Sequence, residues 1–253
     1  MLKKRLIFTL LLDSDQFVLS RNFTLQKVGN IEWLFNNYNF SNISSFIDEL
    51  IILNIRNKKK NFENFSSLVK KITKEIFIPI GVGGGVENFN DVKKLLRCGA
   101  DKVVVNNLLL NNRKELKKIA KIIGRQSIIA SIDVIKRKNS FYIYDNDKAK
   151  VTEELKDFLK DIPHEDIGEL YITSIDRDGT GQGYQFEIID KFKSNFKTPI
   201  IISGGAGNWK HLLEGLKHKN INAVSTANLL NFIGNGFKNS RIELLKKIDL
   251  PKW

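Results

Sequence analysis

The chain has 253 residues, of which 42% are hydrophobic and 27% charged, a composition typical of a globular protein. Its longest apolar stretches are under ten residues, whereas a membrane-spanning helix needs about 20. The single cysteine, Cys98, excludes an internal disulfide framework and leaves no cysteine pair for a metal site. We therefore expect one domain over residues 1–253, in the cytoplasm, with no membrane association and no bound metal.

The formal net charge of +13 raises the question of a nucleic-acid partner, because a basic surface attracts polyanions. The basic residues are, however, scattered over predicted helix faces, and only Lys58, Lys59 and Lys60 form a tight run. No nucleic-acid recognition motif accompanies them. We expect no nucleic-acid partner and interpret the charge as solvated helix faces that also attract phosphorylated metabolites.

Apolar β-branched runs alternate with amphipathic segments along the chain, the order that a parallel sheet requires. An amphipathic helix, for example, is predicted over 61–76. Two polar stretches, 13–30 and 137–150, follow the first and fifth strands and are predicted to form substrate-covering loops or hairpins. The eight predicted strands lie at 5–12, 49–54, 78–82, 102–106, 127–133, 169–174, 199–203 and 222–226.

The two halves of the chain repeat each other. Residues 79–110 and 199–230 align without a gap at an offset of 120 residues, and 49–55 and 169–175 keep the same offset. Each copy reads as a strand, a glycine turn, an amphipathic helix and a second strand. We therefore predict an α/β fold, a (β/α)8 TIM barrel made of half-barrels at about 1–120 and 121–245.

Glycine clusters follow the third and seventh strands, at equivalent positions of the two halves. In a (β/α)8 barrel the ligand binds at the carboxyl ends of the strands. Glycine turns there allow backbone N–H groups to approach a phosphate, although each cluster could also be a tight turn without a ligand. Their symmetry favours a substrate with a phosphate at each end. The predicted phosphate-binding residues are Gly84, Gly85, Asn106, Gly204, Gly205 and Asn228.

Few carboxylates follow the strands as candidate acids or bases. Asp133 closes the fifth strand after an apolar run, where an isolated carboxylate is costly to bury without a partner or a catalytic role. Asp176 and Asp178 follow the sixth strand, which also carries Thr173 as a candidate substrate-binding residue. Asp176 could instead pair with Arg177 or cap a turn. Asp133 is the predicted catalytic residue.

Several segments together resemble the cyclase subunit of imidazole glycerol phosphate synthase. They are DELIIL, VGGGVENF, GADKVVVNN, SIDVIKR, GELYITSIDRDGTGQGY and PIIISGGAG, and the similarity covers nearly the whole chain. The resemblance implies a (β/α)8 barrel that binds a two-phosphate ribonucleotide and forms a heterodimer with a glutaminase subunit. Ammonia from that subunit would enter at the N-terminal face of the barrel and react at the opposite face.

The resemblance also assigns roles at the N-terminal face. Arg5, Glu49, Lys102 and Glu169 match a ring of charged residues that forms the family's ammonia gate. Asp101 matches a position that faces the glutaminase. A salt-bridged plug that only stabilises the base of the barrel is the alternative interpretation of the ring.

At the opposite face the resemblance is incomplete. Gly85, Asn106, Gly205 and the turn of Asp178 and Gly179 match phosphate positions, and Asp133 matches one of two catalytic aspartates. The aspartate of the first strand is replaced by Leu11. Two further family residues, a lysine and an aspartate, are replaced by Leu19 and Asn54.

Leucine cannot transfer a proton, so the two-carboxylate cyclisation of the family lacks one of its two carboxylates at this position. Asp13 is a candidate substitute, because residues 11 and 13 point to the same side of a strand, about 6.6 Å apart. Asp13 also pairs with Asp133 at the 120-residue offset of the repeat. A shift of that size nevertheless exceeds what acid–base geometry tolerates unless the substrate moves as well.

Three functions are the main hypotheses, and an isomerase barrel of the same two-phosphate superfamily is a fourth, which gives no reason for the charged ring. The leading hypothesis is a lyase-type subunit that takes ammonia from a glutaminase to a phosphorylated substrate, as a diverged paralogue serving the synthesis of amidino sugars of surface polysaccharides. The alternatives are an authentic histidine-biosynthesis cyclase, which makes imidazole glycerol phosphate and the aminoimidazole carboxamide ribonucleotide, and a non-catalytic subunit that activates a glutaminase by docking. No cofactor is expected, because the glycines lack the G-x-G-x-x-G spacing of dinucleotide sites.

Overall fold

The apolar runs of the sequence form the strands of a closed parallel barrel, as predicted. The computed structural model describes residues 3–38, 40–55, 62–192, 196–228, 232 and 234–251. Eight of its strands form the barrel, in the order β1, β4, β5, β6, β7, β10, β11 and β12. The strands of the described residues are β1 (Arg5–Asp13), β2 (Gln16–Arg21), β3 (Thr24–Gly29), β4 (Glu49–Asn54), β5 (Ile80–Gly83), β6 (Lys102–Val105), β7 (Ile128–Arg137), β8 (Ser140–Asp145), β9 (Lys150–Glu154), β10 (Glu169–Ser174), β11 (Ile200–Ser203) and β12 (Ala223–Thr226).

The barrel closes because β1 and β10 each have a parallel partner on both sides. β1 pairs with β12 and with β4, where Ile7 lies opposite Glu49. β10 pairs with β11 and with β7, where Glu169 lies opposite Ile129. Each barrel strand begins within two residues of its predicted start. The predicted (β/α)8 fold is therefore confirmed.

Helices follow most of the barrel strands and cover the outside of the sheet. Asn88 and Asn208, 120 residues apart, cap two equivalent helices by accepting hydrogen bonds from backbone N–H groups of the first turn. Their backbone angles agree within a few degrees, so the sequence repeat is also a structural repeat. The helices are α1 (Ile31–Tyr38), α2 (Phe62–Thr73), α3 (Phe89–Arg97), α4 (Asn107–Asn111), α5 (Arg113–Ile123), α6 (Leu155–Phe158), α7 (Trp209–Lys217) and α8 (Gly236–Leu245).

Both polar stretches that interrupt the predicted order form β-hairpins at the carboxyl end of the barrel. β2 and β3 lie within 13–30 and continue from β1, and β8 and β9 follow β7 in the same way. β7 extends to Arg137 for this reason, beyond its predicted end at residue 133. The basic run of Lys58, Lys59 and Lys60 lies outside the described residues.

The apolar strands have two buried faces, which explains their continuous hydrophobic runs. On β1, Leu6 and Phe8 pack outward against the helices, whereas Ile7 belongs to a separate apolar cluster inside the barrel. That inner cluster is formed by Ile7, Ile51, Val104, Ile129, Tyr171, Ile201 and Ala223. Within the described part of the chain, no helix is long and apolar enough to cross a bilayer.

Candidate functional site

Four charged residues close the N-terminal face of the barrel. Arg5, Glu49, Lys102 and Glu169 are the first residues of β1, β4, β6 and β10, so the strands bring them to one level. Arg5 Nη1 donates to Glu49 Oε2 at 2.7 Å, and its other terminal nitrogen donates to Glu169. Lys102 Nζ donates to both glutamates, at 3.0 Å to Glu49 and 2.8 Å to Glu169. The predicted ring is thus a continuous cycle of alternating charges, and we call it the ion ring.

The two glutamates of the ion ring lie in different environments. Glu49 is 1% exposed, and burial raises the pKa of its carboxyl despite Lys102 and Arg5. Burial acts in the same direction on Glu169, but the charges of Arg5 and Lys102 outweigh it and lower the pKa of Glu169. The side chains of Arg5 and Lys102 are about one-fifth exposed. The ring is therefore charge-balanced, with buried glutamates and partly exposed cations.

Neighbouring carboxylates fix the backbone around the ion ring. Asp101 is exposed at the N-terminal face, and its Oδ2 accepts a hydrogen bond from the N–H of Ile80 at 2.8 Å. Asp48, next to Glu49, is buried, accepts from the N–H of Leu6 at 2.7 Å and pairs with Arg241 at 2.8 Å. Asp101 is thus accessible at the face where a partner is predicted.

A central pocket of about 300 Å³ opens at the carboxyl ends of the strands. Asp133 is nine-tenths buried there, beside Thr173 on the neighbouring strand β10. Its Oδ2 accepts a hydrogen bond from Asn146, which the β8–β9 hairpin carries over the pocket. Among the described residues that line this pocket are Leu11, Leu53, Asn54, Gly84, Gly85, Asn106, Ser131, Asp133, Asn146, Tyr171 and Thr173.

Asn146 is held in place by the turn in which it lies. The preceding residue, Asp145, is buried, and its Oδ1 accepts hydrogen bonds from the N–H groups of Asp147 and Lys148 at 3.0 and 3.1 Å. Asn111 on α4 donates to Asp145 Oδ2 at 3.3 Å. The hairpin is thus tied to the helix after β6, and it presents the Asn146 amide to Asp133 in a fixed position.

Asp13 occupies a different place. It ends β1 opposite Gln16, where the chain turns into β2, and it is buried but is not part of the lining of the central pocket. Leu11 lines the central pocket instead. The structure therefore brings Asp133 to the pocket and gives Asp13 no contact with it.

A second cavity, of about 620 Å³, lies between the β2–β3 hairpin and the ends of β11 and β12. Gly204 and Gly205 line it with φ angles of +90° and +106°, a region that favours glycine. A Cβ on Gly204 would lie 2.6 Å from the Ser174 carbonyl oxygen. We call this space the hairpin cavity, and its lining also includes Asn228, Thr226, Asp178 and Gly179.

The glycines of the other half repeat this geometry in the central pocket. Gly84 and Gly85 have φ angles of +105° and +74°, and a Cβ on Gly84 would clash with the Asn54 carbonyl oxygen. Asn106 donates from Nδ2 to the Ser131 carbonyl at 2.9 Å and lines the same pocket. Each cavity therefore has a glycine turn and asparagine side chains in its lining. The two glycine turns are 120 residues apart in the sequence.

Asp178 lies where the two cavities meet. Its Oδ2 accepts hydrogen bonds from Ser20 Oγ at 2.5 Å and from the N–H of Phe23 at 3.2 Å, both on the β2–β3 hairpin. Burial raises the pKa of Asp178, although these two bonds act in the opposite direction. Ser20, Asp178 and Ser203 line both cavities, so a single ligand could extend from one glycine turn to the other.

Two features of the pocket could not be found from the sequence pattern. Asn54 Oδ1 is buried and, among the described residues, has no hydrogen-bond partner. Asn146 reaches Asp133 from a hairpin whose path no local motif specifies. No group of three or more His, Cys, Asp or Glu residues within the described ranges is arranged to hold a metal ion.

Comparisons with known proteins agree with this architecture. A family model described as Histidine biosynthesis protein matches residues 26–233. A protein of Parasynechococcus marenigrum (strain WH8102), provisionally named imidazole glycerol phosphate synthase subunit hisF2, is 42% identical over 100% of this chain and 95% of its own length. The HisF subunit of that synthase from Clostridium botulinum (strain 657 / Type Ba4) is 33% identical over 92% of each chain. The one from Dictyoglomus thermophilum is 35% identical over 73% of this chain and 74% of its own length. This chain belongs to the family of imidazole glycerol phosphate synthase cyclase subunits.

Proposed function

We propose that this protein takes ammonia from a glutaminase partner through the barrel to a phosphorylated substrate at the opposite face. It would act as the lyase-type subunit of a glutamine amidotransferase complex, a heterodimer with a HisH-like glutaminase. The observation that carries the proposal is the combination of an ion ring at one end of the barrel and two glycine-lined cavities at the other.

The ion ring supports ammonia transfer better than a purely structural role. Its two glutamates are buried at the mouth of the barrel. Its two cations are about one-fifth exposed and, in the part of the chain that the structure describes, their side chains bond to the two glutamates alone. Such a ring can open by moving Lys102, whose long side chain has many rotamers, without breaking the sheet. Asp101 lies at the same face and is the proposed contact with the glutaminase.

The cavities support a substrate with two phosphates. Backbone N–H groups of glycine turns bind anions, and one such turn lies in each cavity. In the central pocket we assign one phosphate to Gly84, Gly85 and Asn106. In the hairpin cavity we assign the other to Gly179, Gly204, Gly205 and Asn228, with Thr173 and Asp178 between the two sites.

Leu11 favours the paralogue form of this function, in the synthesis of amidino sugars for surface polysaccharides. The pocket has Asp133 but a leucine where the cyclase family has its second catalytic aspartate, so general acid–base catalysis of ring closure would be weak. The relative at 42% identity also has the name of a second HisF-type subunit. The barrel would then deliver ammonia to an acceptor other than the histidine-pathway nucleotide.

An authentic histidine-biosynthesis cyclase is the second candidate. The observation that favours it is the hydrogen bond from Asn146 to Asp133 in the central pocket, which orients the carboxylate that matches one of the family's two catalytic aspartates.

Turnover of the two-phosphate ribonucleotide intermediate of the histidine pathway separates the two candidates. The purified protein is supplied with this nucleotide and ammonium chloride, beside Asp133→Asn and Asp13→Asn variants, and nucleotide binding is measured in parallel. We expect binding without turnover. Turnover that Asp133→Asn abolishes would contradict the paralogue assignment and establish a cyclase, and an equal loss in Asp13→Asn would identify the second carboxylate.

A further inference from the structure

Four hydroxyl groups meet inside the barrel. Thr9, Tyr171, Ser203 and Ser225 lie on β1, β10, β11 and β12, which are neighbours around the barrel. Thr9 Oγ1 lies 2.7 Å from Ser225 Oγ and 3.1 Å from the Tyr171 hydroxyl. Tyr171 donates to Ser203 Oγ at 2.8 Å and lies 3.2 Å from Ser225 Oγ. We call this group the hydroxyl cluster.

The hydroxyl cluster places four polar groups in the otherwise apolar interior of the barrel. All four side chains are nearly inaccessible. Tyr171 belongs to the inner cluster, whose other members are the apolar residues Ile7, Ile51, Val104, Ile129, Ile201 and Ala223. Valine, alanine and phenylalanine would fill the same volume without the desolvation of polar groups. Burial also raises the pKa of Tyr171, so its hydroxyl stays protonated. A buried polar network of this kind calls for a polar ligand or a structural reason.

Its position points to a ligand that moves along the barrel axis. On β10, Glu169, Tyr171 and Thr173 alternate at a period of two and belong to the ion ring, the hydroxyl cluster and the central pocket. Successive members are about 6.6 Å apart along the strand. The hydroxyl cluster is therefore the polar layer between the ring and the pocket, and Tyr171 and Ser203 themselves line the pocket.

We propose that the hydroxyl cluster is a binding station for neutral ammonia between the ion ring and the central pocket. The proposal rests on the function proposed above and specifies the route of the nitrogen.

The chemistry of the cluster fits ammonia better than the ammonium ion. Ammonia accepts one hydrogen bond through its lone pair and donates others, so it can replace one hydroxyl partner without a net loss of bonds. Ser203 Oγ accepts from Tyr171, and Ser203 lines the pocket. Among the described residues, its own proton is not used in a hydrogen bond, so it is available to a ligand. Ammonium has no lone pair, and its full charge would have to be desolvated between isoleucine side chains.

Ammonia binding can be measured without a partner or an acceptor. The protein is labelled with ¹³C at the ring carbon bonded to the tyrosine hydroxyl and titrated with ammonium chloride at alkaline pH, against potassium chloride at equal ionic strength. Tyr184 is an internal control, because it is also buried but donates to the backbone carbonyl of Ser225 at 2.9 Å and, among the described residues, to none of the four hydroxyl groups. We expect a saturable shift of the Tyr171 signal and none for Tyr184. A Tyr171 signal that responds alike to both salts would overturn the proposal.

Delivery is tested in the complex with the glutaminase, using the acceptor that supports turnover. Tyr171→Phe is expected to lower the ratio of glutamine-driven to ammonium-driven transfer about fivefold to tenfold, the effect of one lost hydrogen bond. Tyr184→Phe should keep the wild-type ratio. If the Tyr171→Phe variant fails to fold, Thr9→Val is used in its place, because it removes a cluster hydroxyl at constant shape.

The two experiments test the proposed ammonia-binding station and the proposed function of the protein independently. An unchanged ratio in the cluster variants would overturn the station while the proposed function stands. A wild-type complex that transfers no glutamine nitrogen would overturn the proposed delivery, whatever the titration shows.

Discussion

Leu11 limits the proton chemistry that the central pocket can support. It lies opposite Leu53 in the β1–β4 pair, and both side chains line the pocket beside Asn54. Among the described residues, β1 and β4 therefore contribute no titratable group to this wall. The carboxylates that line the pocket are Glu87 in the loop after β5, Asp133 on β7 and Asp178 in the loop after β10. None of them lies at the first-strand position that Leu11 occupies.

We predict that Asn54 lowers the stability of the folded protein and that its role is to bind the substrate. Its buried Oδ1 has no partner among the described residues, so Asn54→Leu should leave the free energy of unfolding unchanged or raise it by about 1 kcal/mol. Asn106→Leu is the matched control, because the Asn106 amide bonds to Ser131 and its loss should lower stability by about 1 kcal/mol. Urea unfolding measures both. Equal destabilisation by the two substitutions would show that Asn54 is satisfied in the folded protein.

His164 is predicted to make stability depend on pH. Its ring bonds to Thr198 at 2.7 Å, and burial, with the charge of Lys197, lowers the pKa of His164 below 6.5. The unfolded chain therefore takes up this proton first as pH falls. The contribution of His164 to stability is full above about pH 7 and is lost as pH falls from about 6.5 through the folded pKa.

The control for this prediction is the variant His164→Gln. Urea unfolding of both proteins is measured between about pH 5 and 8, the range in which histidine titrates. His218 also has a pKa lowered by burial and remains in both proteins, so the difference between the two curves isolates His164. The wild-type curve should fall more steeply toward acid. Parallel curves would contradict the assignment.

At the scale of elements, the β2–β3 hairpin is clamped onto the loop after β10. Asn22 and Phe23, at its tip, have φ angles of +48° and +63°, which is strained for side chains other than glycine. Asn22 donates from its backbone to the Asp178 carbonyl at 3.0 Å and from its side chain to the Ile175 carbonyl at 3.0 Å. The strain is thus balanced by the contacts with this loop, and the docked hairpin forms one wall of the hairpin cavity.

Gly179 should be essential for this docking. A Cβ at Gly179 would clash with the Ser20 carbonyl oxygen, whereas a Cβ at Gly181, with nearly the same φ, would meet nothing closer than 4.0 Å. Both alanine variants are strained by about 1 kcal/mol at positive φ. Gly179→Ala should in addition undock the hairpin, speed tryptic cleavage after Arg21 and weaken binding of the two-phosphate nucleotide. Equal cleavage rates in the two variants would refute this.

The sequence predicts the regular elements far better than it predicts the contacts between them. The barrel strands could be predicted because buried parallel strands leave continuous apolar runs, and the 120-residue repeat indicated their closure. The ion ring and the glycine turns followed from family motifs at strand ends. The hydroxyl cluster could not be predicted, because Thr9 and Ser225 are 216 residues apart and each is ordinary in its own strand.

At the scale of the molecule, the ion ring and the two cavities lie at opposite ends of the barrel. Its N-terminal face has a closed ring of charges with Asp101 beside it, and its opposite face has two adjoining cavities covered by hairpins. The net charge of +13 favours the approach of phosphorylated ligands to the open cavities. In the proposed function the nitrogen and its acceptor therefore arrive from opposite ends and meet inside one chain.

Transfer of nitrogen through the barrel is tested most directly by isotope competition. The complex with the glutaminase receives glutamine labelled with ¹⁵N in its amide, an excess of unlabelled ammonium chloride and the acceptor that it turns over. The product's ¹⁵N content is compared with that of the ammonium in solution. Internal transfer predicts a product richer in ¹⁵N than the solution from the first turnovers onward. A product with the isotopic composition of the solution would show that the nitrogen reaches its acceptor from outside, and would contradict this account.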